Sequence, residues 1–96
     1  MSQELIANIT SYFSQRPVKK AWIFGSYSRN EANEDSDVDI LISFDETSDI
    51  GIFEHYEIAT ELSKLLNKEV DLVTDGTLYP WVREKVDKEK ILIYER

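Results

Sequence analysis

The order of apolar and polar positions divides the chain into alternating helices and strands. Residues 2–15 carry Leu5, Ile9, Tyr12 and Phe13 at helical spacing, with Ser2 placed to cap the helix and Pro17 to end it. "KKAWIFG", Lys19 to Gly25, grows apolar toward its glycine and reads as a strand. Ser26 to about Ala32 has room for a short helix, with Asn30 suited to a left-handed position near its end. "DVDILISF", Asp37 to Phe44, alternates: Val38, Ile40, Ile42 and Phe44 take one face, and Asp37, Asp39, Leu41 and Ser43 the other. Ile52 to Leu66 reads as a helix whose buried stripe is Phe53, Tyr56, Ala59, Leu62 and Leu66. "EVDLVT", Glu69 to Thr74, is a third strand with Asp71 inside an apolar run. Pro80 opens a helix near its first turn, and "ILIY", Ile91 to Tyr94, is a short closing strand or an extended tail. This alternation predicts an α/β or α+β sheet with helical cover, and leaves the strand order open.

Composition narrows the picture. The length of 96 residues fits one domain, 1–96, and 42% hydrophobic residues is ordinary for a globular chain. No apolar run approaches a bilayer span, and "MSQELIANIT" lacks the basic-then-apolar order of a signal peptide. There are no cysteines, which excludes disulfides and thiolate zinc sites and suits a reducing cytoplasm. The net charge of −8 does not attract nucleic acid and favours cations or a partner with a basic face.

Most of the acids read as a solubilising surface. Asp37 and Asp39 do not fit that reading as easily, because they stand at the mouth of the best core strand. On a strand they project to the same side with their Cα atoms about 7 Å apart. Carboxylates so placed converge on hard cations such as magnesium, whose remaining ligands are waters and substrate phosphates. Asp71 would join them if its strand is a neighbour. Two ions about 4 Å apart can activate an attacking oxygen and stabilise a leaving one. Taken alone, Asp37 and Asp39 read better as a solvated strand end, with Asp35 and Ser36 forming a turn, and Asp71 as an exposed residue on an edge strand.

"FGSYSR" adds a second element. Gly25 lets the backbone approach a ligand closely, the Ser26 hydroxyl can donate to a phosphate, and Arg29 can reach a phosphate or a local acid. A capping serine after a tight turn is the simpler reading of Gly-Ser alone. A P-loop is excluded by the missing Gly-Lys-Ser/Thr ending, and a dinucleotide fingerprint by the missing glycines.

Taken together, "GSYSRNEANEDSDVDILI", Gly25 to Ile42, and the later Asp71 resemble the nucleotidyltransferase superfamily that includes DNA polymerase beta. The stretch is most similar to its minimal nucleotidyltransferases, which carry Gly-Ser-x-x-Arg-Gly and then Ser-Asp-x-Asp before apolar residues. Asn30 departs from the glycine after the arginine, and asparagine also tolerates the left-handed region. The resemblance implies the nucleotidyltransferase fold, a small mixed sheet of three to four strands flanked by helices. It implies that Gly25 and Ser26, with Arg29 nearby, bind the nucleotide phosphates. Asp37, Asp39 and Asp71 would be catalytic and hold Mg2+, expected as two ions, with Asp71 also helping to activate the acceptor hydroxyl.

The implied reaction moves AMP from ATP to a hydroxyl. Minimal nucleotidyltransferases pair with small helical HEPN ribonuclease toxins, so the resemblance implies a cytoplasmic antitoxin of a type VII-like toxin–antitoxin system that adenylylates a toxin tyrosine. Neutralisation by binding alone, and transfer to an aminoglycoside-like small molecule, are the alternatives. The chain has little surface left for an acceptor pocket of its own, and neither nucleic acid nor membrane is expected as a partner. Tyr79, Trp81 and Tyr94 are candidate docking aromatics, though Trp81 reads better as core. Trp22, Tyr12 and Phe13 read as packing residues, and His55 as a surface residue without a role. "REKVDKEK" and "SKLLNKE" read as solvated helix faces in which a triphosphate-binding cation cannot be singled out.

Overall fold

The computed structural model describes residues 3–33, 35–44 and 52–96; the expected Ser2 cap lies outside them. Helix α1 spans Gln3–Phe13, strand β1 Val18–Phe24, β2 Val38–Phe44, helix α2 Ile52–Leu66, β3 Val70–Thr74, helix α3 Pro80–Glu89 and β4 Ile91–Glu95. The four strands form one mixed sheet in the order β3-β2-β1-β4. β1 pairs antiparallel with β2 and β4, while β2 and β3 run parallel. A parallel pair needs a crossover, and α2 supplies it.

Alternation along the strands sets the layers. Ala21 and Ile23 of β1, Val38, Ile40 and Ile42 of β2 and Leu72 of β3 face one side, against Ile9 and Phe13 of α1 and Ile58 and Leu62 of α2. The Tyr12 hydroxyl donates to Glu61 at 2.8 Å, tying α1 to α2. Leu41 and Val86 are buried outside that cluster, on the side that carries Asp39. Among the described residues, no helix is long and apolar enough to cross a membrane.

Four expectations need correction. In α2, Phe53 is 84% and Tyr56 72% exposed, and the buried positions are Ile58 and Leu62. Repeated steps of three residues drift by roughly 60° each, so a stripe drawn from Phe53 through Tyr56 and Ala59 to Leu62 wraps half-way round the helix. Continuing the true stripe back one turn from Ile58 leads to His55. His55 is half-buried: its Nε2 donates to the Leu72 carbonyl at 2.8 Å, and its Nδ1 accepts from the Thr74 hydroxyl at 3.1 Å. It binds α2 to the edge strand β3 and is not a bystander on the surface.

Trp81 is 68% exposed and stacks on Tyr79 with ring centroids 4.8 Å apart. The inward side of α3 runs through Val82 and Val86, which turns Trp81 outward. Finally, the short helix expected after Ser26 is a single 3₁₀ turn, Gly25–Tyr27. The Gly25 carbonyl takes the backbone N–H of both Ser28 and Arg29 and the Ser28 hydroxyl. Asn30, at φ 60°, then ends the turn in the left-handed region.

Candidate active site

The sheet register assembles the site. Phe24, the last residue of β1, is opposite Asp39, and Asp39 is in turn level with Asp71 of β3. Asp39 therefore has the start of the Gly25 turn on one side and the Asp71 carboxylate on the other. Gly25 has φ 73°, and a Cβ built there would stand 2.1 Å from Asp39 Oδ2. No other residue type fits this position without displacing the carboxylate. Asp37 sits just before β2, after a turn in which the Asn33 side chain accepts from the Asp35 N–H at 2.8 Å and the Ser36 hydroxyl accepts from the Asn33 N–H at 2.9 Å.

An open cavity of about 500 Å³ lies over these residues. Its floor includes Gly25, Ser26, Asp37 and Asp39, and its wall includes Arg29 and, from α3, Lys85 and Glu89. Asp71 is exposed at the neighbouring strand and does not line the cavity itself. The Ser26 hydroxyl faces this space without a hydrogen-bond partner among the described residues.

Electrostatics mark Asp39 as the strained member. Burial, then the charges of Asp71 and Asp37, push its carboxyl up to about 6 from an ordinary 3.8, against an opposing pull from Arg29. Mutual repulsion among three carboxylates is relieved by a cation, and an all-oxygen donor set suits a hard one. The donor chemistry fits magnesium. As placed, no three metal-ligating side chains among the described residues close on a common point.

Glu89 and Lys85 are absent from the sequence-based site. Glu89 Oε1 accepts from the Gly25 N–H at 3.1 Å, and its Oε2 accepts from Arg29 at 2.9 Å. Burial alone would raise the Glu89 carboxyl, but Arg29 and the Gly25 N–H outweigh it and lower it. Arg29 thus reaches a local acid, one of the two options its position allowed. The only signal in the sequence was the four-residue spacing of Lys85 and Glu89 within a charge run of both signs.

A parallel β2–β3 pair, a glycine turn after β1 and paired aspartates opening β2 are the arrangement that the resemblance to nucleotidyltransferases implied. Residues 7–96 match the family described as "Polymerase beta, Nucleotidyltransferase", and the chain belongs to that family. A Thermococcus cleftensis relative named protein adenylyltransferase MntA is 38% identical over 76 residues, 79% of this chain and 75% of that one. A Methanocaldococcus jannaschii protein provisionally named a protein adenylyltransferase is 43% identical over 77 residues, 79% of this chain and 76% of that one. Among solved structures, a toxin–antitoxin crystal structure with AMP-PNP superimposes with a TM-score of 0.80 at 20% identity, over 95% of this chain and 73% of that one. A complex of tri-AMPylated Shewanella oneidensis HEPN toxin with MNT antitoxin gives 0.74 at 20% identity, over 100% of this chain and 74% of that one. At that identity the likeness to both structures is one of fold.

Proposed function

We propose that this chain is a magnesium-dependent protein adenylyltransferase that moves AMP from ATP to a tyrosine hydroxyl of a HEPN-type toxin, acting as its antitoxin in the cytoplasm. The observation that carries the reading is the register that sets Asp39 between the Gly25 turn and Asp71. The family supports the reaction class. The protein-adenylyltransferase name of the Thermococcus relative and the AMPylated toxin complex of the same fold support the acceptor. The AMP-PNP complex supports ATP as the donor. In this reading residues 1–96 form a single nucleotidyltransferase domain, of which 7–96 match the family.

In this reading Gly25, Ser26 and Arg29 seat the phosphates. Asp37, Asp39 and Asp71 hold magnesium, as two ions, which when bound neutralises the triphosphate and makes the acceptor hydroxyl more acidic. Asp71, exposed beside Asp39, orients the incoming hydroxyl and takes up its proton. The hydroxyl oxygen bonds to the α-phosphorus, and the bond from that phosphorus to the pyrophosphate oxygen breaks. Positioning and charge neutralisation supply most of the acceleration in such transfers.

The test is to mix the chain, its genomic-neighbour protein, magnesium and ATP and to record intact masses. AMP adducts on a tyrosine of the neighbour are expected. An unmodified neighbour, with both proteins folded, contradicts the reading. Neutralisation by binding is favoured by one observation, the exposed stacked pair Tyr79 and Trp81, and it can accompany the chemistry.

A further inference from the structure

The seat assigned above to phosphate already holds an anion. The Glu89 carboxylate takes the Gly25 N–H with one oxygen and the Arg29 guanidinium with the other, and its side chain is only 15% exposed. Its position does nothing for the helix. Glu89 is the last residue of α3, where the negative end of the helix dipole disfavours a carboxylate. The charge of Asp39 disfavours it further. What holds Glu89 in place is therefore the pair of donors, with the charge of Lys85 adding a smaller attraction.

Those donors are the kind that bind a phosphate oxygen: a backbone N–H freed by a left-handed glycine, and a guanidinium. The cavity opens directly onto them. A triphosphate entering there meets a carboxylate that already occupies the same N–H, and two anions on one donor repel. Lys85 stands one turn earlier on the same side of α3 and also lines the cavity. It makes no ion pair within 4 Å among the described residues, and at a four-residue separation it is within reach of Glu89.

We infer that Glu89 sets the affinity for nucleotide: it holds the Gly25 N–H and Arg29 in place of the triphosphate, and has to swing away toward Lys85 for the triphosphate to bind. The inference rests on the reading of Gly25, Ser26 and Arg29 as the phosphate seat. Glu89 is a competitor for that seat and takes no part in the bond-breaking step.

Calorimetric titration of the full chain with magnesium-ATP, and separately with inorganic triphosphate, tests it. Glu89→Gln keeps an acceptor for Gly25 and removes the charge, so both probes should bind it about tenfold more tightly than wild type. Equal or weaker binding by a Glu89→Gln variant of wild-type melting temperature overturns the inference. Should that variant fail to fold, carbon-detected NMR of the wild type decides. The Glu89 side-chain carboxyl and Gly25 amide signals should both move on saturation with magnesium-ATP, and a stationary Glu89 carboxyl overturns the inference. Failure of wild type and variant alike to bind either probe sinks the phosphate-seat reading and this inference with it. Wild-type binding with no gain in the variant sinks this inference alone.

Discussion

Asp39 and Gly25 are in such close contact that the glycine has no room for a side chain: the Oδ2 of Asp39 lies 2.1 Å from where a Cβ would be. The contact joins the turn after β1 to the acid on β2 and makes each position depend on the other. Gly25→Ala should therefore fail twice over. It forces a side chain into a left-handed backbone at φ 73° and pushes Asp39 out of place. A cost of about 1–2 kcal/mol from the backbone alone would lower the melting temperature by roughly 4–15 °C, together with loss of AMP transfer. A variant of wild-type stability would show that the turn is not held in this conformation.

Asp39 should trade stability for function. Its carboxyl is pushed up to about 6 in the folded chain, from 3.8. Because the folded value is the higher one, the stability linked to this group is fully present below pH 3.8. It is lost as the pH rises through about 6. Asp39→Asn in metal-free buffer should thus melt higher than wild type at pH 7.5, by about 4–8 °C for a gain near 1 kcal/mol after allowing for partial solvent exposure. The difference should shrink toward pH 4. Thermal melts at the two pH values check this, and a variant less stable at pH 7.5 would contradict it.

Helix α2 offers a plain contrast in packing. Ile58 is 3% exposed and belongs to the core, whereas Phe53 points away from it. Ile58→Ala should cost about 2–5 kcal/mol, and Phe53→Ser should stay within about 0.5 kcal/mol. Denaturant titrations of both variants would expose a helix rotated from this placement by reversing that order.

The stacked pair of Tyr79 and Trp81 is exposed and outside the core cluster, so Trp81→Ser should leave the melting temperature within a few degrees of wild type. If the pair anchors the toxin, the same variant should weaken complex formation by tenfold or more in a titration against the partner. Unchanged affinity would place the docking surface elsewhere.

Local pattern made much of this legible. The alternation of Val38, Ile40 and Ile42 marked β2, and asparagine's tolerance of positive φ marked Asn30. The spacing from Gly25 to Asp39 carried the family. Contacts between distant residues had no comparable signal. Glu89 meets Gly25 across 64 positions, and nothing in a run of mixed charge says which acid turns inward. His55 reads as a surface residue because its partners, Leu72 and Thr74, are on an edge strand whose place in the sheet the pattern leaves open. Phe53 and Tyr56 read as core because large apolar residues at near-helical spacing look buried until packing fixes the helix phase, and Trp81 because a large aromatic is most often buried.

In the proposed reaction the carboxylates gathered by the β1–β2–β3 register transfer AMP to a partner protein. Intact-mass analysis of the genomic-neighbour protein after incubation with magnesium and ATP tests it most directly, comparing wild type with folded Asp37→Ala and Asp39→Ala variants. AMP adducts on a tyrosine with wild type and none with either variant are expected. Adducts that persist with both variants, or their absence with wild type, would contradict the account.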